Sequence, residues 1–143
     1  NSQMDFDLDL AVKEDSQNPV YYVQYAHARI CSIVKNLAAM GVKIKNCSVE
    51  DLMILQSPEE LDIIRQLAKL TEEIQIAAKT YNPSRITRYV IDLATLFHKF
   101  YNSCRVKCDD EKLMLARLTL CDAVRVVLKN ILVMFKIDAP EVM

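Results

Sequence analysis

Apolar residues recur every three or four positions in three long stretches of this chain, which is the spacing of one face of an α-helix. These positions are Val23, Ala26, Ile30, Ile33 or Val34 and Leu37; then Ile86, Val90, Leu93, Phe97, Phe100 and Cys104; and then Leu113, Ala116, Leu120, Val124, Val127, Ile131 and Met134 or Phe135. The pattern predicts long helices over about 19–40, 83–105 and 110–136, and shorter ones near 48–55, 58–69 and 72–80.

Residues that begin and end helices stand at the edges of these stretches. Asn-Pro pairs at 18–19 and 82–83 place a capping side chain before a proline, whose missing N–H costs nothing at the first helical position. Ser-Pro-Glu-Glu at 57–60 is a capping box, and Gly41 is a natural helix end. Long helices with short connections favour an all-α fold, an antiparallel helix bundle.

Composition narrows the class of protein further. The chain has 143 residues, enough for one domain or one domain with a tail, and a single glycine. Phosphate-cradling loops and dinucleotide fingerprints need several glycines, because only glycine lets the backbone approach phosphate at positive φ. The chain is therefore not a nucleotide-binding α/β domain, and a sheet-rich fold is disfavoured.

Charged residues are distributed unevenly along the chain. Residues 1–17 carry five acidic side chains against one basic, whereas residues 82–136 carry ten basic against five acidic. The asymmetry is a weak indication of a polyanionic partner, and solvated helix faces explain it as well. The opening segment is not a self-sufficient element, so we expect a piece of a longer protein, with the tail end of a preceding domain or a linker over 1–17 and a helical domain over 18–143.

No apolar run reaches the length of a membrane span, and the start has no signal-peptide pattern. Five cysteines without a secretory signal indicate reduced thiols and a cytoplasmic protein. Cys104, Cys108 and His98 give no second pair of ligands, so we expect no metal site. Nothing fixes a histidine against a thiol for catalysis, and packing roles are the better interpretation of His27 and His98.

Tyrosines beside basic and amide side chains are the more informative feature. Tyr25 and Arg29 lie four residues apart on the first long helix, so they share a face. Tyr101 follows the Phe97 and Phe100 series by one position, with Asn102 and Arg105 close by. An aromatic ring at a helix edge can stack an unpaired base. The alternative is an amphipathic tyrosine at the core boundary with its hydroxyl in water.

Four blocks of sequence resemble the arginyl-tRNA synthetase family, in the right order over essentially the whole chain. They are Asn18-Pro-Val-Tyr-Tyr-Val-Gln-Tyr-Ala-His-Ala-Arg-Ile30, Phe97-His-Lys-Phe-Tyr-Asn-Ser-Cys-Arg-Val106, Asp122-Ala-Val-Arg125 and Ala139-Pro-Glu-Val-Met143. The third stands where that family carries its Asp-Ala-Leu-Arg signature, with valine in place of leucine. The chain is thus similar to the C-terminal anticodon-binding domain, an all-α bundle of the class I synthetase type.

The resemblance also implies partners and cofactors. The intact enzyme would join arginine to its tRNA using ATP with Mg²⁺, and this chain would bind arginine tRNA and the catalytic domain of the same polypeptide, with no role at DNA or a membrane. Neither ATP-binding signature of the family is present in these residues. We therefore expect no catalytic residue and no bound cofactor in this piece.

Site residues follow from the same resemblance. Tyr101 corresponds to an anticodon-contacting tyrosine, Met143 to the C-terminal methionine near the same loop, and Tyr25 to a further loop-contacting aromatic. Asn102, Arg105 and Arg29 complete the predicted anticodon-binding set. Arg105, Arg29, Arg125 and Lys129 are candidates for backbone phosphate.

Two other interpretations remain open at this point. Arg125 and Asp122 can form an i, i+3 pair that stabilises their helix, which we favour over an RNA contact. The whole domain can instead be a helical protein–protein interaction module whose basic face meets an acidic partner. An independent enzyme is the least supported alternative, since no site is assembled in the sequence.

Overall fold

The computed structural model describes residues 7–15, 17–44 and 47–143. Within these residues the secondary structure is helical, and no strand occurs. The helices are α1 (Leu8–Ala11), α2 (Pro19–Ala39), α3 (Val49–Leu52), α4 (Pro58–Ala68), α5 (Leu70–Thr80), α6 (Ser84–Ser103) and α7 (Glu111–Met134). The predicted all-α fold is confirmed. None of the helices in the described part of the chain is both long and apolar enough to cross a membrane.

The bundle has four limbs, which are, in chain order, α2, α4 together with α5, α6, and α7. Limbs that follow one another in the sequence run in opposite directions. Ser57, at the start of α4, lies beside Cys104 at the end of α6, and Gln66 contacts the Tyr89 backbone. At one end of the bundle, residues from the start of α2, the start of α6 and the end of α7 line one apolar cavity. Hence α2 and α6 run the same way, while the α4–α5 limb and α7 run against them.

Local chemistry explains most of the helix ends. The Asn18 side chain accepts hydrogen bonds from Val20 N and Tyr21 N, as predicted, and its amide also donates to the Ala11 and Lys13 carbonyls. The Ser57–Glu60 capping box is present. At the other Asn-Pro pair the helix begins at Ser84, one residue later than predicted, and the Asn82 side chain accepts a hydrogen bond from the Ser84 hydroxyl.

Two short helices differ more from the predictions. The helix predicted over 48–55 extends only from Val49 to Leu52. The helix predicted over 72–80 begins at Leu70, because Lys69 keeps right-handed helical dihedrals while it ends α4. α4 and α5 are therefore two segments of one limb, bent at Lys69.

The buried face of each long helix largely follows the predicted stripe. All six predicted positions of α6, which include its C-cap residue Cys104, are buried, together with Tyr89, whose hydroxyl donates to the Gln66 carbonyl 3.0 Å away. Burial raises the pKa of Tyr89 to about 12. On α7 the prediction for the last position of the apolar stripe is wrong, because Met134 and Phe135 are exposed and Leu132 is buried in their place. α7 contacts α2, α4 and α6, so it buries more than one stripe.

A buried ion pair connects the limbs. Glu60 in α4 is 1% exposed, and its carboxylate accepts a hydrogen bond from Arg117 Nε of α7 at 2.7 Å and another from Ser57 N at 2.9 Å. Burial opposes ionisation of Glu60, but the hydrogen bonds from Arg117 and Ser57 outweigh it and keep its pKa below the usual value. Arg117 also donates to the Arg105 carbonyl at 2.8 Å, which ties down the loop after α6.

Removal of the buried cation should destabilise the fold strongly. We expect Arg117→Met to lower the free energy of unfolding by about 3 kcal/mol, because the Glu60 carboxylate would stay buried without its partner. Arg65→Met is the matched control, since Arg65 pairs with Asp62 while its side chain is 65% exposed. That change should cost less than about 1 kcal/mol. Urea unfolding at neutral pH measures both, and equal losses would refute a special role for Arg117.

Tyr81 offers a stabilising change. It ends α5 in the left-handed conformation with φ of 50°, and its side chain is 93% exposed. An L-residue pays roughly 1–2 kcal/mol for this conformation and glycine does not. Tyr81→Gly should therefore raise the free energy of unfolding by about 1 kcal/mol. Tyr81→Ala keeps the Cβ atom and should give no such gain in thermal or urea unfolding.

Candidate nucleic-acid interface

Two tyrosines and an arginine form a stack between α2 and α6. The Arg29 guanidinium carbon lies 4.4 Å from the Tyr25 ring centroid and 4.5 Å from the Tyr101 ring centroid. One guanidinium nitrogen donates to the Tyr25 hydroxyl. Such cation–π contacts hold rings in fixed orientations. Arg29 thus positions both tyrosines, and the direct RNA contact expected for it stays a prediction.

His98 packs against Tyr25 and Arg29 of this stack. Its ring centroid lies 4.6 Å from that of Tyr22 and 5.9 Å from that of Tyr25, and its Nδ1 is 3.5 Å from an Arg29 nitrogen. Burial, and then the positive charge of Arg29, lower the pKa of His98, although the Tyr22 backbone opposes the shift. A neutral ring can accept the Arg29 hydrogen bond, whereas a protonated ring would repel it.

The last residues of the chain are held against α2 by two side chains. His27 is fully buried and donates from Nδ1 to the Pro140 carbonyl at 2.8 Å. Gln24 donates to the Asp138 carbonyl at 2.8 Å. These bonds bring Met143 to the stack, where its side chain is 45% exposed. The structure therefore gives His27 the packing role that the sequence favoured, and shows what it packs.

The stack and the chain end line an open cavity of about 280 Å³. Four of the six predicted site residues line it, namely Tyr25, Arg29, Tyr101 and Met143. Tyr101 is 40% exposed and leans on Phe97, with ring centroids 6.2 Å apart. One cavity thus gathers residues from the start, the middle and the end of the domain.

Sequence reasoning missed two polar residues of this cavity, Ser32 and Asn36. Both are exposed on α2, where polar residues are expected on any solvated face. The helical period could have found them, because positions 25, 29, 32 and 36 follow one another by four, three and four residues along a single face.

The other two predicted residues do not line this cavity. Asn102 and Arg105 line a neighbouring cavity of about 510 Å³, which Tyr101 also lines. Both are exposed, one at the end of α6 and one in the loop that Arg117 holds. Tyr101 lines both cavities, as do Ile33 and Asn36.

The Asp-Ala-Val-Arg block lies on α7 and forms the helix pair anticipated for it. Arg125 donates to Asp122 from Nε at 2.8 Å and contacts the same oxygen from its terminal nitrogen at 2.6 Å. Arg125 also lines a third cavity, of about 630 Å³, with Lys35 and Glu141. The structural role of Arg125 is thus visible, and its candidacy for phosphate stays a prediction.

The three residues considered as metal ligands each make a different contact. Cys104 is buried with its sulfur 3.4 Å from the Ser57 hydroxyl oxygen, Cys108 donates to the Asp110 carbonyl, and His98 belongs to the aromatic stack. In the described ranges no group of three His, Cys, Asp or Glu side chains is placed to hold a metal ion.

The helical bundle presents aromatic rings and cations around one cavity, and these are groups on which unpaired RNA bases can stack. The sequence model of the DALR anticodon binding domain matches residues 23–143, and the chain belongs to that family. The similar proteins are arginine–tRNA ligases. That of Caldanaerobacter subterraneus subsp. tengcongensis is 59% identical over 141 residues, and that of Ruminiclostridium cellulolyticum is 53% identical over 140.

Those alignments cover 99% and 98% of this chain but 25% of each relative, so the chain spans about a quarter of their length. The solved structure of Thermus thermophilus arginyl-tRNA synthetase is 29% identical, with a TM-score of 0.82 over 99% of this chain and 24% of that one. The family and the fold predicted from the four sequence blocks are confirmed.

Acid should loosen the packing around His98. Its pKa in the folded protein lies below the ordinary 6.5, so the unfolded chain binds more protons as the pH falls through that value. Stability should be constant above pH 6.5 as far as His98 is concerned, and should decline below it. We expect His98→Gln to flatten this decline in urea unfolding between pH 7.5 and 5.5. An unchanged slope would show that His98 does not titrate in this window.

Proposed function

We propose that this chain is the anticodon-loop-binding module of an arginine–tRNA ligase. The observation that carries the proposal is the cavity where Tyr25, Arg29, Tyr101 and Met143 meet. Unpaired loop bases expose a face for stacking and an edge for hydrogen bonds, which paired bases do not. The exposed Tyr101 ring supplies the stacking surface, and Ser32 and Asn36 supply donors and acceptors for an edge.

Each residue of the cavity then has a distinct task. Arg29 contacts both tyrosine rings and so restricts their movement before a base arrives. Met143 closes the cavity with a flexible apolar side chain that adapts to the base. Arg105, beyond Tyr101, faces solvent with a charge that phosphate would neutralise.

The whole enzyme would join arginine to its tRNA in the cytoplasm with ATP and Mg²⁺, the nucleotide being bound by the catalytic domain of the same polypeptide. This chain would contribute tRNA recognition and no catalytic residue. Most of the contact with tRNA would lie outside these residues, so we expect the isolated chain to bind arginine tRNA weakly. The alternative, a protein–protein module with a basic face, predicts no preference among tRNAs.

Stacking on Tyr101 is testable with this chain. A base stacked on an aromatic ring contributes on the order of 1–3 kcal/mol, so Tyr101→Ala should weaken arginine tRNA binding by about 5- to 150-fold. Tyr81→Ala is the matched control, since it removes an exposed ring at the opposite end of α6. Fluorescence anisotropy with labelled tRNA measures both affinities.

The same titration separates the two functions. Salt dependence should be compared for arginine tRNA and an unrelated tRNA, because phosphate contacts alone give affinity without discrimination. Preference for arginine tRNA that is lost in Tyr101→Ala supports the proposal. Equal affinity for both tRNAs, or no effect of Tyr101→Ala, contradicts it.

A further inference from the structure

The residues that follow α7, 136–143, form a segment that joins two cavities, and we call it the closing segment. Ile137 lines the apolar cavity of about 120 Å³ at the start of α2, and Met143 lines the candidate RNA cavity. Between these points the segment runs along α2, because its backbone carbonyls accept hydrogen bonds first from Gln24 and then from His27. The closing segment therefore reaches from one end of the bundle to the candidate RNA site.

The first half of the closing segment is firmly anchored. Lys136 takes the left-handed conformation with φ of 59°, and the Ile137 N–H donates to the Leu132 carbonyl at 2.9 Å. Ile137 and Ala139 are partly buried against the core. Pro140 fixes its own φ and restricts the residue before it to extended conformations. This half has little conformational freedom to lose when a ligand binds.

The second half depends on the imidazole of His27. The ring is fully buried, and its Nδ1 must carry a proton because the Pro140 carbonyl, 2.8 Å away, can only accept. The Cys31 sulfur lies 3.8 Å from Nε2. Burial raises the pKa of Cys31, so the thiol keeps its proton at neutral pH and can donate to that nitrogen. His27 thus has one defined tautomer, aimed at the closing segment.

The bond from His27 is the last one that holds the chain. Within the described part of the chain, no hydrogen bond reaches residues 141–143. Met143 comes three residues after Pro140, a span of about 10 Å of extended backbone. Without His27 the last held carbonyl is that of Asp138, five residues before Met143. The effective concentration of a tethered group falls roughly as the −3/2 power of tether length, so it would drop about twofold.

We infer that His27 is a positioning residue for RNA binding. It is not among the residues that line the RNA cavity, and it acts through the closing segment. The imidazole holds Pro140, Pro140 places Met143, and Met143 meets the base beside Tyr25 and Tyr101. The inference rests on the proposed function, since the affinity that His27 controls is that of the same cavity.

A double-mutant cycle tests this route, with the affinity for labelled arginine tRNA measured by fluorescence anisotropy. His27→Leu removes the donor and keeps an apolar side chain in the core. It should weaken binding by at least about twofold and by no more than Met143→Ala does. The double variant should bind as Met143→Ala does, because His27 would then have nothing to position.

Two further variants separate the hydrogen bond from the stability of the core. His27→Asn is the matched control, since its amide nitrogen stands as many bonds from Cα as Nδ1 and can donate to Pro140. It should restore the affinity of wild type. Insertion of two glycines after Pro140 lengthens the free tether by two residues without touching the core. It should weaken binding about twofold, even if His27→Leu does not fold.

The position of Met143 can also be observed without RNA. In a chain whose six methionine methyl groups are labelled with ¹³C, Met143→Ala identifies the signal of Met143. His27→Leu should sharpen that signal and move it toward the position of free methionine. The signal of Met40 should stay unchanged, since Met40 is also half exposed but lines a different cavity.

These measurements judge the inference and the proposed function separately. An unchanged Met143 signal in His27→Leu, additive losses in the cycle, or an Asn variant as weak as the Leu variant overturns the positioning role of His27. An insertion variant that binds as tightly as wild type overturns it as well. None of these results affects the proposed function, which fails instead if wild type binds arginine tRNA and an unrelated tRNA equally.

Discussion

A carboxylate that folding removes from water must have a partner, and the bundle is arranged around one such group. Glu60 caps the start of α4 through Ser57 and reaches Arg117 across the interface with α7. Its charge is retained because these donors offset the loss of water. The Glu60 side chain thereby fixes where α4 begins and how α7 lies against it.

The effect of that pair extends to the candidate RNA site. Arg117 also donates a hydrogen bond to the Arg105 carbonyl, so the loop that follows α6 cannot move independently of α4 and α7. Tyr101 stands just before this loop, and its ring meets Arg29 of α2. The ion pair on one side of α6 and the cation–π stack on the other side therefore fix the end of this helix, where both cavities open.

The chain uses few glycines because its helix ends do not depend on them. Three helices end in a left-handed residue with paired backbone hydrogen bonds, at Gly41, Tyr81 and Lys136, and only the first is glycine. Tyr81 and Lys136 tolerate the strain because helix packing supplies the stability elsewhere. A low glycine content thus excludes glycine-rich phosphate loops, but it does not limit how many helices can end in a left-handed residue.

Sequence by itself determined the three long helices and α4, the main buried faces and the family, because apolar spacing, capping residues and local motifs are properties of neighbouring residues. It also named Tyr25, Arg29, Tyr101 and Met143. Only the tertiary structure decided that these four share one cavity while Asn102 and Arg105 face another, and that Arg29 positions rings. It alone paired Glu60 with Arg117, 57 residues apart. Such contacts depend on how limbs pack against each other, and spacing along one helix carries no information about its neighbours.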